Sequence, residues 1–104
     1  MTDIKKKIQE LIQSLDAITE LFYQQQDKKG MEELGAELPG LVALIDEMYL
    51  YKQEHEEMAF EDAQINEALQ QMLSAMEDKD NVLLADVIKY EVIEKFQAIA
   101  DGLE

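Results

Sequence analysis

Between Asp80 and Leu103 the apolar positions are too crowded for one helical stripe. Val82, Leu83, Leu84, Ala85, Val87, Ile88, Tyr90, Val92 and Ile93 point to most bearings of a helix, and a helix that is hydrophobic on most faces belongs inside a domain. This stretch therefore predicts a central helix over 81–101, capped by Asp80, whose later half narrows to Val92, Phe96, Ile99 and Leu103. Other segments must wrap it.

The chain offers three further helical patterns. Ile4, Ile8, Leu11, Leu15, Ile18 and Phe22 recur at alternating steps of four and three, with Ile12 and Leu21 widening the stripe. That spacing turns one face of a helix toward a core, and it predicts a helix over 3–26 with Thr2 or Asp3 as its cap. Asp27, Lys28, Lys29 and Gly30 read as a turn, with Gly30 suited to the left-handed conformation that ends a helix. Met31, Leu34, Leu38, Leu41, Ile45 and Met48 continue the helical spacing, but Pro39 falls within it. Proline inside a helix removes a hydrogen bond and clashes with the preceding turn, whereas the first position tolerates it. A helix over 39–54 with a preceding turn is favoured by Gly35 and Gly40; a kinked helix from 31 is the alternative. Asp62 reads as the cap of a helix over 62–77 that buries Ile65, Leu69, Met72, Leu73 and Met76, with Phe60 packing back over its first turns. The reading is all-α: an up-down antiparallel bundle of four helices forming one domain over 1–104.

Charge narrows the choice of partner. The 104 residues carry 24 acids against nine bases, a formal net charge of −15, and every base is lysine. Without arginine the chain lacks the side chain best suited to bidentate phosphate contact, and its field repels polyanions. Direct binding of nucleic acid or of an anionic membrane is not expected. No run approaches the roughly 18 apolar residues of a membrane span, and the amino end does not read as a secretory signal, so a cytoplasmic protein is expected. With no cysteine there is no disulfide framework, thiolate metal site or thiol nucleophile. Lys5, Lys6 and Lys7 crowd the first turns of the first helix, where the macrodipole favours acids; they read as tolerated surface charge, with a basic handle for an acidic partner as the alternative.

The candidates for chemistry fail at required positions. His55 and Glu56 begin like a zinc-protease helix motif, but the second histidine's place is Ala59, and the di-iron pattern would need Glu where Lys52 stands. Glu54, His55, Glu57, Glu61 and Asp62 form an acidic corner that reads as solvated surface, with a divalent ion as the alternative. Asp78, Lys79, Asp80 and Asn81 start like a calcium loop, but Leu83 and Lys89 occupy the positions of its glycine and its bidentate glutamate. Ser14 and Ser74 lie within helical patterns, away from any glycine-rich or strained turn, so no catalytic residue or cofactor is assigned and the protein is not expected to be an enzyme.

Surface recognition remains. Met48, Tyr49, Tyr51, Met72 and Met76 are the candidate partner-binding residues, because methionine adapts to varied apolar surfaces and aromatic residues anchor interfaces. They are weighed against service as core filler, and at least one of Tyr49 and Tyr51 must leave a narrow stripe, being two residues apart. The segment DNVLLADVIKYE, Asp80 to Glu91, resembles a stretch of small, acidic, all-helical uncharacterised proteins of Gram-positive bacteria. In size and acidity the chain is also similar to flagellar and type III export chaperones. The first group lacks an assigned activity, the export chaperones hold a secreted subunit before export, and neither resemblance implies catalytic positions in this chain. The expected function is an adaptor or chaperone-like bundle that takes a protein segment in an apolar groove, with homodimerisation as another use of the same surface. An acidic mimic of nucleic acid and a divalent-metal protein are the alternatives.

Overall fold

A computed structural model describes residues 3–55 and 62–103. Helix α1 spans Asp3–Tyr23, α2 Asp27–Glu54 and α3 Asp62–Glu77. A last rod runs from α4 (Asn81–Val87) through a π-helical segment (Ile88–Ile93) into α5 (Glu94–Asp101) without leaving helical backbone angles. All described elements are helical, giving the all-α bundle with its four rods.

Side-chain contacts fix the directions. Lys5 Nζ donates to the Leu103 carbonyl at 3.0 Å, while at the other end of α1 the Tyr23 hydroxyl donates to Asp86 at 2.6 Å. The first helix and the last rod are therefore antiparallel. Lys7 pairs with Glu47 at 2.8 Å, and Phe22 lies against Gly30, so α2 returns along α1. Near the link to α3, Lys52 meets Asp62 at 3.6 Å. Helix α1 packs on α2 and along the whole last rod, and α3 packs on α4 and the π segment. The buried side chains make one continuous cluster, in which Leu84, Ile88 and Val92 are each 0% exposed. Thr19, also buried, donates its hydroxyl to the Asp16 carbonyl at 2.6 Å.

Two boundaries differ from the sequence reading. Helix α2 neither waits for Pro39 nor starts at residue 31: it runs unbroken from Asp27, and Gly30 lies in its first turns. Pro39 and Gly35, whose carbonyl loses its partner four residues on, both face solvent, so water can satisfy that group and the interruption is tolerated. Among the described residues the left-handed ones are Gln25 (φ 64°) and Lys79 (φ 58°), and no glycine there has positive φ. Each closes its helix with the same pair of bonds. Gln26 N–H donates to Leu21 and Asp80 N–H to Ala75, with Gln25 and Lys79 donating to Phe22 and Met76, which is the Schellman pattern. The expected Asp80 cap is present, its carboxylate accepting from the Leu83 N–H at 3.1 Å. Asp62 opens α3 as the first helical residue described, and the proposed Phe60 packing lies outside the described residues.

The last rod is also less enclosed than its composition implied. Its inner face is sealed, but Val82, Leu83 and Tyr90 remain exposed. The π segment accounts for the pattern. Leu84, Ile88, Val92, Phe96 and Ala100 are all buried and lie four residues apart. In an uninterrupted α-helix each such step overshoots a turn by about 40°, and four steps would rotate the stripe by about 160°. A wider turn with i→i+5 bonding absorbs an extra residue. The inner stripe stays aimed at α1 along the whole rod and at α3 along its first two segments.

Candidate interaction surface

Three edges of the bundle are closed by direct helix packing: α2 on α1, α1 on the last rod, and the rod on α3. The fourth, between α2 and α3, lacks that close backbone approach. Each helix presents a second apolar stripe beside its buried one. On α2 it comprises Leu38, Val42 and Tyr49, with Met31 a further two turns before Leu38; on α3 it comprises Leu69, Leu73 and Met76. Met31, Leu38, Tyr49, Leu69 and Met76 are half-buried against the core, while Val42 and Leu73 are 58% and 51% exposed.

The facing of these stripes follows from what occupies the opposite flanks. Glu37, Gly40, Leu44 and Glu47 of α2 line a groove with Lys7, Glu10, Leu11 and Ser14 of α1. Gln71 and Ala75 of α3, with Asp78 just beyond its end, line another with Leu83 and Val87. The remaining flanks turn toward each other across the fourth edge. Tyr49 marks the register: burial raises its phenol pKa, with Asp62, the first residue of α3, and Asp46 adding to the rise. An apolar seam thus runs between α2 and α3, bordered by carboxylates.

The proposed binding residues divide accordingly. Met48 and Met72, at 0% and 1% exposure, are inside the core and present no surface. Tyr49 and Met76 border the seam. Tyr51 is half-buried and stacks its ring on His55, centroids 3.8 Å apart and planes 5° from parallel. The His55 backbone N–H donates to the Tyr51 carbonyl at 2.9 Å, and its Nδ1 lies 3.1 Å from the same oxygen. This histidine finishes α2. The expected departure of one tyrosine from the stripe takes a milder form, since both rings pack partly against the core. Among the described residues no group of three or more His, Asp or Glu side chains is arranged to hold a metal ion; Glu57 and Glu61 of the acidic corner lie outside them.

The sequence profile of the domain of unknown function DUF8042 matches residues 1–102. The chain belongs to this family. No curated protein and no solved structure matches it. Among the described residues of this DUF8042 chain, no helix is long and apolar enough to cross a membrane.

A second surface feature of this DUF8042 chain escaped the sequence reading. Tyr23, near the end of α1, and Tyr90, in the π segment, flank Lys89, whose Nζ lies 5.6 Å and 5.9 Å from their ring centroids. Those distances suit cation–π attraction. The Tyr23 hydroxyl is held by Asp86, and that bond, with burial and the carboxylate's charge, pushes its pKa up to about 12. Nothing in the local sequence pairs Tyr23 with residues 63 or more positions away. The seam was more accessible: Leu38, Val42, Ile45 and Tyr49 repeat at four, three and four.

Proposed function

We propose that this chain is a cytoplasmic, non-enzymatic interaction module, an adaptor or chaperone-like bundle that takes a partner protein segment along the seam between α2 and α3. The observation that carries this reading is the pair of partly exposed apolar stripes on the bundle's most loosely closed edge. A core stripe needs about a third of a helix's circumference, and these helices devote more than that. Apolar side chains left half-covered beside a core can be buried further by a partner, at roughly 25 cal/mol for each Å² removed from water. Tyr49 and Met76 at the border add an aromatic anchor and an adaptable side chain, both favoured in interfaces.

The test is capture of cellular partners by the intact chain and by the Val42→Glu/Leu73→Glu variant, each washed in high salt. A partner held by the parent through the wash and lost by the variant supports the reading. One that leaves in salt replaces it with charge mimicry, because screening weakens surface ion pairing and leaves apolar burial intact, and one that stays on the variant through the wash assigns the contact to a surface other than the seam.

A further inference from the structure

We infer that the segment received by the α2–α3 seam is a cationic amphipathic helix. This rests on the docking reading above and adds the chemistry of the occupant. Among the described residues, Asp46 on α2 and Asp62 on α3 act on Tyr49 at the seam, and Glu77 stands one helical turn beyond Leu73. Lys52, the cation at its closed end, is joined to Asp62 at 3.6 Å. The whole chain adds a net charge of −15. A second copy would bring the same negative field to the contact, and like charges across an interface oppose association. An occupant with an apolar face flanked by Lys or Arg meets both demands. Its arginines would also supply the bidentate donors for carboxylates that this chain lacks.

Shape agrees with a helix. The seam follows α3 for the 16 residues of Asp62–Glu77, about 24 Å at the α-helical rise. Leu69, Leu73 and Met76 on one bank and Leu38, Val42 and Tyr49 on the other repeat at helical intervals. Parallel banks of that kind suit a helix lying lengthwise, the helix-in-groove mode of recognition.

Two synthetic helical peptides decide the matter, identical on the apolar face and carrying either Lys or Glu on the polar face. Binding to the intact chain is followed by fluorescence anisotropy, alongside Val42→Glu/Leu73→Glu, the uncharged Val42→Gln/Leu73→Gln, and Val82→Glu on the outer face of α4. All these positions are exposed, and circular dichroism verifies folding. The Lys peptide is expected to bind the parent about tenfold or more tightly than the Glu peptide, and to lose about tenfold on both seam variants but not on Val82→Glu. The added glutamates raise the attraction for lysine, so a loss on that variant reports apolar contact.

Equal binding of both peptides, abolished by the seam variants, overturns the cationic occupant and leaves the docking seam standing. Lys-peptide binding that is indifferent to the seam variants overturns the seam itself. Absence of binding by either peptide overturns both.

Discussion

The ring of Phe22 lies 3.0 Å from the point where a side chain on Gly30 would begin. Glycine thus lets the first turns of α2 close down on the end of α1, with Phe22 itself 4% exposed and unable to swing out freely. Gly35, one and a half turns further on, has nothing within 4 Å of the same point. Both are helical, so alanine at either lowers the backbone cost by about 0.5–1 kcal/mol. Gly35→Ala is expected to raise the melting temperature by a few degrees, at about 4–8 °C per kcal/mol for a chain of this size. Gly30→Ala is expected to lower it, since overpacking costs about 1–3 kcal/mol. Thermal melts of the two variants compare them directly, and an equal rise in both would refute the close-packing role of Gly30.

The core face of the last rod can be separated from its outer face within two turns. Ile88 is wholly buried, whereas Val82 is 67% exposed. Truncating Ile88 to alanine should cost about 2–5 kcal/mol through lost burial and a residual cavity, a large share of the about 5–15 kcal/mol typical of a folded domain. Val82→Ala should stay within about 0.5 kcal/mol. Urea titrations of both measure the difference; similar losses would mean that the rod is not the internal support described above.

The bundle itself was legible because periodicity reports the facing of helices directly. Ile4, Ile8, Leu11, Leu15, Ile18 and Phe22 are all buried as their spacing requires, and the ends of α3 and the Asp80 cap fall where local chemistry puts them. The start of α2 departs from what the pattern predicts for a physical reason. Glycine and proline mark breaks only when nothing else satisfies the backbone, and here Gln25 takes the left-handed turn while Pro39 faces water. The candidate site was half legible. Met48 and Met72 belong to the core, Tyr49 and Met76 to the seam, and no local pattern separates these fates when adjacent stripes are both apolar.

The extra residue in the π segment predicts an unusual tolerance. Deleting Tyr90 leaves the buried positions after Leu84 at steps of four, three and four, the spacing of an ordinary α-helix. The shortened chain should fold with an α-helical last rod at a cost within about 1–2 kcal/mol. Deleting Gln70 from α3 should be far worse. It rotates Met72, Ala75 and Met76 by about 100° relative to Ile65 and Ala68, and it should cost more than about 3 kcal/mol, as burial of a large apolar side chain is worth about 1.5–3 kcal/mol. Guanidinium unfolding of the two deletions ranks them, and the reverse order would count against the register explanation.

Tyr23 and Asp86 give the fold an alkaline signature. In the folded chain the phenol is held protonated to about pH 12, against an ordinary value of 10.0. Because the folded value is raised, the stability linked to this group is fully present below about pH 10 and is lost as pH rises through about 12. Tyr23→Phe removes the donor, at an expected cost near neutral pH of about 0.5–1 kcal/mol, kept small by the tyrosine's exposure to water. The gap in unfolding free energy between parent and variant should therefore narrow between about pH 10 and 12. A constant gap over that interval would show that the hydroxyl is not held by the carboxylate.

The wider turn at Ile88–Ile93 gives the last rod two independent angular settings. Its amino-terminal half meets α1 and α3, while α5, beyond the turn, is held chiefly by α1. A shift of that half relative to α5 can be taken up as local twist within those six residues. The α5–α1 contact then keeps its alignment, and one end of the molecule can respond without the other being rebuilt.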